Sequence, residues 1–144
     1  MKKNISIILA SLIFFNFNYI SVNAKSSYFN DGKKLFDNKK YKDSKFYFEK
    51  DIVFNPKNEN SYLYLAKIFK EEDNDNFEKN NLNTVLLINP KNEEAIYLLT
   101  LLNIKESNYS KAKELISTFN LVCKKMCPST RELQLELNNS LKSE

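Results

Sequence analysis

The sequence predicts an all-α protein, a stack of about three helical hairpins closed by one C-terminal helix. Three observations lead there. The tetrapeptide Asn55-Pro56-Lys57-Asn58 recurs as Asn89-Pro90-Lys91-Asn92, an offset of 34 residues, and self-similarity at such a period marks stacked repeats. Apolar residues fall at helical spacing: Tyr62, Leu65, Ala66 and Phe69 share the i, i+3, i+4, i+7 stripe by which a helix buries one face. Pro56 and Pro90 stand at the same point of successive copies, and proline, which cannot continue a helix, ends a hairpin at each.

Laid out at that period, Tyr28 falls on Tyr62 and Ile96, Leu35 and Phe36 on Phe69 and Lys70, and Tyr41 on Asp75 and Tyr109. Ser44 falls on Glu78 and Ala112, Phe48 on Leu82 and Ile116, and Ile52 on Leu86. The pattern predicts helices over residues 26–38 and 41–54, 59–72 and 76–88, then 93–106 and 109–122, in repeats of about 25–58, 59–92 and 93–127. Asn58 and Asn92 read as N-caps, with Glu59 or Glu93 and Glu94 in the first turn, where acids favour the helix dipole. The turns inside the hairpins read Lys39, Asp73 and Ser107, beside Asn38, Asn74 and Asn108, and asparagine tolerates the left-handed conformation such turns require. Small residues such as Ala66 and Ala112 let paired helices approach closely. After Pro128, Ser129 and Glu132 have capping-box spacing, and Leu133, Leu137 and Leu141 form one stripe over about 129–142. A stack needs such a helix to cover its last apolar face.

The period and its residues resemble the tetratricopeptide repeat (TPR). The first copy carries most of the signature: Tyr28, then Gly32 at the small position, Leu35, Tyr41 opening the second helix, Ser44 at its small position, Phe48, and the closing Pro56. The resemblance spans about residues 25–127 and implies a short right-handed superhelix that binds protein rather than catalysing a reaction. Asp31 and Asp51 depart from it, standing where the family has apolar or small residues. In the second copy Asp75 and Glu78 replace an aromatic and a small residue, so a less regular repeat is expected there, with Phe77 taking over the packing by a local shift.

The amino terminus has the three parts of a secretory signal: Lys2 and Lys3, the apolar run Ile5 to Phe15, and small residues Val22 and Ala24 before a cleavage point. The apolar run is shorter than the roughly 20 residues of a membrane-spanning helix. The expected product, residues 25–144, is periplasmic or secreted. The alternative is an uncleaved anchor facing the periplasm, extended by Phe17, Tyr19, Ile20 and Val22. Removing residues 1–24 takes away two lysines and no acid, so the charge of +4 falls to about +2, too little to mark a nucleic-acid partner. With no histidine there is no imidazole base, nucleophile pair or imidazole metal ligand. With one glycine there is no phosphate-cradling loop. No cofactor and no metal are expected. The acid-rich run from Glu71 to Asp75 lacks the glycine and distal glutamate of a calcium loop and reads as a solvated turn.

Cys123 and Cys127 are the two cysteines, four positions apart before Pro128. In an oxidising compartment an even count implies a disulfide, here pinning the last repeat to the capping helix. Free thiols, or a redox or metal pair, are the alternatives. A helix C-terminus raises rather than lowers thiol pKa, and zinc would need two further soft ligands.

If first helices pack by one stripe, the neighbouring stripe lines a concave face. It comprises Phe29, Asn30, Lys33, Phe36 and Asp37, then Leu63, Tyr64, Lys67, Lys70 and Glu71, then Tyr97, Leu98, Leu101, Ile104 and Lys105. Apolar residues flanked by lysines suit a peptide of a partner protein, with Lys33, Lys67 and Lys70 meeting acidic groups. The lysine and asparagine arrangement by which some TPR domains clamp a terminal carboxylate is not reproduced, because Tyr64 and Leu98 occupy two of its places. An envelope adaptor is the leading reading. A thiol-handling protein using the cysteine pair and a self-assembling homo-oligomeric scaffold are the alternatives.

Overall fold

The computed structural model of the protein describes residues 27–142, which hold seven α-helices and no strand. They are α1 (Ser27–Asp37), α2 (Tyr41–Phe54), α3 (Glu59–Glu71), α4 (Asp75–Ile88), α5 (Glu93–Lys105), α6 (Tyr109–Val122) and α7 (Ser129–Lys142). Every helix boundary lies within one residue of the sequence expectation. The signal-peptide reading of residues 1–24 falls outside the described residues.

Packing runs between chain neighbours: α1 on α2, α2 on α3, and so on to α6, while α7 rests on both α5 and α6. That is a stack in which each hairpin shelters the next rather than a bundle about one axis. Two apolar clusters result. Phe48, Leu65, Ile68 and Phe69 join the first two hairpins. The larger cluster runs from Leu63, Ala66 and Leu82 through Ile96, Ile116 and Phe119 to Leu133 and Leu137 of α7. Burial of those two leucines is what holds the capping helix.

The turns differ from expectation in which residue takes the left-handed conformation. Lys39, Asp73 and Ser107 themselves have φ of 58°, 50° and 57°. The amides that follow, those of Lys40, Asn74 and Asn108, reach back five residues to the carbonyls of Leu35, Phe69 and Asn103 at 2.8–2.9 Å, the six-to-one bond of a Schellman ending. Asn74 and Asn108 serve the next helix instead, accepting from the amides of Phe77 and Lys111, both at 3.4 Å. The N-caps expected at Asn58 and Asn92 form, accepting from Asn60 N at 3.3 Å and Ala95 N at 3.0 Å.

The second repeat is as regular as its neighbours. Its α4 has 14 residues, as do α2 and α6, and opens at the matching position. Phe77 does not move inward; it lies half exposed and stacks on Phe69, ring centroids 4.9 Å apart. Backbone turn chemistry, identical in all three hairpins, fixes the register there without an aromatic at position 75.

Polar ties repeat with the hairpins at both edges of the stack. At one edge Glu59 accepts from the side-chain amides of Asn89 (2.8 Å) and Asn92 (3.3 Å). Its counterpart Glu93 accepts from the backbone of Lys125 (3.0 Å) and Met126 (2.7 Å). At the other edge Lys45 pairs with Glu72 at 3.1 Å and, one repeat on, Lys79 pairs with Glu106. Asp51, 1% exposed, binds Ser61 Oγ (2.5 Å) and Asn58 Nδ2 (2.7 Å) through Oδ2, tying α2 to the start of α3.

The chain after α6 departs from one expectation. The helix stops at Val122, as the repeat pattern has it, so Cys123 is extended and Cys127 lies in the following turn; the structure pairs them across a Cα–Cα distance of 5.2 Å. Ser129 is already helical, and its amide bonds to the carbonyl of Met126 at 2.9 Å, so no capping box forms with Glu132. Glu132 turns to Tyr97 instead, accepting from its hydroxyl at 2.7 Å.

Candidate functional site

The first helices α1, α3 and α5 carry the stripe expected to line the concave face, and the structure divides its residues among three settings. Phe29, Phe36 and Tyr64 are half buried; Phe29 and Tyr64 pack on Phe48 and on each other, and Phe36 packs on Tyr64, with ring centroids 5.0–5.8 Å apart. Leu63 and Leu98 are buried within the larger core cluster, and Ile104 with them. Asn30, Lys33 and Lys70 remain exposed.

Two of the three lysines expected to meet a partner's carboxylates are already engaged within the chain. Lys33 bonds Asp37 at 2.8 Å, a contact that raises its pKa. Lys67 pairs with Glu94 at 2.6 Å while lying 4.7 Å above the Tyr64 ring. Lys70 has no ion pair among the described residues and faces a cavity.

That cavity, about 550 Å³, lies where the ends of α3 and α5 meet the start of α4 and the capping helix. Leu101, Leu102 and Ile104 of α5 form its floor. Glu132, Glu136 and Ser140 of α7 stand along one wall, and Lys70, Asp73 and Lys105 at the rim. The ammonium of Lys105 is held by Asp75 at 2.7 Å and lies 3.9 Å from Asp73; the Asp75 bond is the main reason its pKa is raised. Within the acid run from Glu71 to Asp75, Asp73 and Asp75 thus share Lys105 while Glu72 takes Lys45. Beside the cavity, burial and then the Glu132 carboxylate push the Tyr97 hydroxyl up to about 12.

Glu78 completes the lining. Its side chain is 4% exposed, and no hydrogen-bond donor reaches its carboxylate among the described residues. Burial raises its pKa; Lys70 and Lys105 oppose that rise, while Asp75 and Glu106 add to it. The matching positions of the other repeats, Ser44 and Ala112, are fully buried small residues. Sequence reasoning marked Glu78 as a departure but did not place it in a site. It also gave α7 a covering role alone, because capping explains the leucine stripe of that helix and leaves Glu132 and Glu136 as surface acids. The 34-residue alignment that sets a carboxylate against serine and alanine was the available signal.

No protein-family model matches the sequence, and no curated protein matches it. Among solved structures, the chain is similar to the Yersinia enterocolitica type III secretion translocator chaperone SycD, with a TM-score of 0.76 at 10% identity over 90% of this chain and 92% of that one. It is similar to the same chaperone in complex with a peptide of the translocator YopD, TM-score 0.70 at 13% identity, over 88% and 95% of the two chains. It is also similar to the first TPR domain of Spaghetti (RPAP3) bound to the HSP90 peptide SRMEEVD, TM-score 0.71 at 16% identity over 80% of this chain and 90% of that one. At such identities the likeness concerns the fold, and the fold is that of a TPR domain: helical hairpins at a 34-residue period, stacked into a superhelix and closed by a capping helix. Among the described residues no helix is long and apolar enough to cross a membrane.

Proposed function

We propose that this protein is a non-enzymatic adaptor of the bacterial envelope, exported by its amino-terminal signal, that holds a segment of a partner protein against its concave face. The observation that carries the reading is the cavity between α5 and α7, an apolar floor ringed by charged side chains on a fold whose similar structures include two peptide complexes. The half-buried Phe36 and Tyr64 offer flat apolar contact further along the same face, and Leu101 offers an aliphatic anchor. Export supplies an oxidising compartment, where the pairing of Cys123 with Cys127 closes the junction ahead of the capping helix.

Photo-crosslinking amino acids placed at Asn30, Tyr97 and Leu101 on the concave side, and at Glu49 and Lys113 on the second helices, test this in the native cell. The adaptor reading expects a discrete crosslinked partner from the first set alone. Crosslinks confined to the second set, or none from either, end it. Fractionation of the same cells checks export, which a protein retained in the cytoplasm would refute.

A further inference from the structure

Glu78 is costly where it stands. It is 4% exposed and takes no hydrogen bond from the described residues, at a position where the same chain elsewhere places serine and alanine, and a carboxylate held mostly away from water without a partner is unfavourable. Serine at position 44 satisfies itself on the Gly32 carbonyl at 2.8 Å. Glu78 has no such partner and lines the cavity. A nearly buried carboxyl that opens onto a concavity, its pKa raised by that burial, points to a site rather than to a scaffold.

The surrounding charges define what would satisfy it. Glu78, Glu132, Glu136 and Asp73 face two lysines, and Lys105 is already neutralised by Asp75. The cavity is therefore electronegative, and its floor is aliphatic. We infer that it is the receptor for one arginine or lysine side chain of the partner segment, the stem lying on Leu101 and Ile104 and the cationic head meeting Glu78 and Glu136. Glu132, partly spent on Tyr97, adds to the field without being the main contact. The inference rests on the adaptor reading and names the chemistry its partner must present. It reverses the polarity expected from the lysines of the groove, two of which are engaged within the chain.

The cation meets the ionised carboxylate, so binding weakens as pH falls through the raised pKa of Glu78. Lys70, Lys105, Asp75 and Glu106 are the charged groups acting on that carboxyl. Lys70, the positive charge at the rim without an ion pair, opposes the ligand.

The probe is n-butylguanidinium, with its neutral isostere n-butylurea as control, titrated into the ¹⁵N-labelled protein and followed through backbone amide shifts. Wild type is expected to show saturable shifts at Glu78, Leu101, Leu102 and Glu136 with the guanidinium and none with the urea. Glu78→Gln should weaken binding about tenfold or more, the loss of a hydrogen bond to a charged group, and should remove its pH dependence. Lys70→Gln should tighten it, and Glu114→Gln, an exposed acid paired with Lys111, should leave it unchanged. Equal response to both probes, or undiminished binding by Glu78→Gln, overturns the inference. Because Glu78→Gln removes a buried charge, its thermal unfolding should stay at or above that of wild type, so lost binding is not lost folding. Concave crosslinks without guanidinium binding would refute this inference alone; guanidinium binding without concave crosslinks would refute the adaptor.

Discussion

Gly32 and Phe48 set how closely α1 and α2 approach. A β-carbon on residue 32 would lie 2.9–3.2 Å from three atoms of the Phe48 ring, which is itself fully buried. Gly32→Ala gains about 0.5–1 kcal/mol of helix propensity but forces an overpacked core at about 1–3 kcal/mol. The net expectation is a loss of about 1–2 kcal/mol, read from the shift in urea midpoint at unchanged slope. Lys39 presents the opposite case. Its left-handed backbone, φ 58°, costs a side-chain-bearing residue about 1–2 kcal/mol, and its side chain is exposed. Lys39→Gly should therefore stabilise by about 0.5–1 kcal/mol after the added freedom of the unfolded glycine is subtracted, and an unchanged or lower melting temperature would count against this account. The sequence made Gly32 legible as the small position of the first repeat. It misplaced the left-handed residue by one, because asparagine is both a good left-handed residue and a good N-cap, and only the geometry shows which need it meets.

At the scale of elements, Glu93 links the start of α5 to the chain that leads into α7. Its carboxylate accepts from the amides of Met126 and Lys125, and those bonds, that of Met126 foremost, lower its pKa below the ordinary 4.5. A carboxyl whose pKa is depressed by folding stabilises the native state above its unfolded value and loses that contribution as pH falls through the folded value. The stability gap between wild type and Glu93→Gln should accordingly be present at pH 7 and should shrink as pH falls below about 4.5, as denaturant midpoints across that range would register; a gap independent of pH would contradict it. Helix existence and extent were readable because turns, caps and prolines recur every 34 residues. What α7 does beyond covering was not, since Tyr97 meets Glu132, and Leu101 and Glu136 come to line one cavity, only once the last helix has folded back over α5. Pairings of that separation leave no mark in a local pattern.

For the molecule as a whole, the cysteine pair separates a structural from a chemical role. Closing so short a loop stabilises by at most about 2 kcal/mol in the chain-entropy account. The double replacement Cys123→Ser, Cys127→Ser is expected to lower the unfolding midpoint modestly and to leave n-butylguanidinium binding as it is, because neither sulfur lines the cavity. Complete loss of function with the fold intact would instead favour thiol chemistry. The edge ties described earlier bear on the length of the stack. The middle hairpin carries both halves of each: Glu72 to receive from the hairpin before, Lys79 to give to the hairpin after, Glu59 facing its own Asn89 and Asn92. A tandem copy of residues 59–92 would keep the tie between Lys79 and Glu72 at its new junction, but it would set Glu71 against Asp75 where Lys105 now stands and Val85 beside Ser61 where Asp51 now stands. Growth by duplication would therefore carry the closing helix outward with its own junction intact, while the new seam would need a cation in place of Glu71 and an apolar residue in place of Ser61.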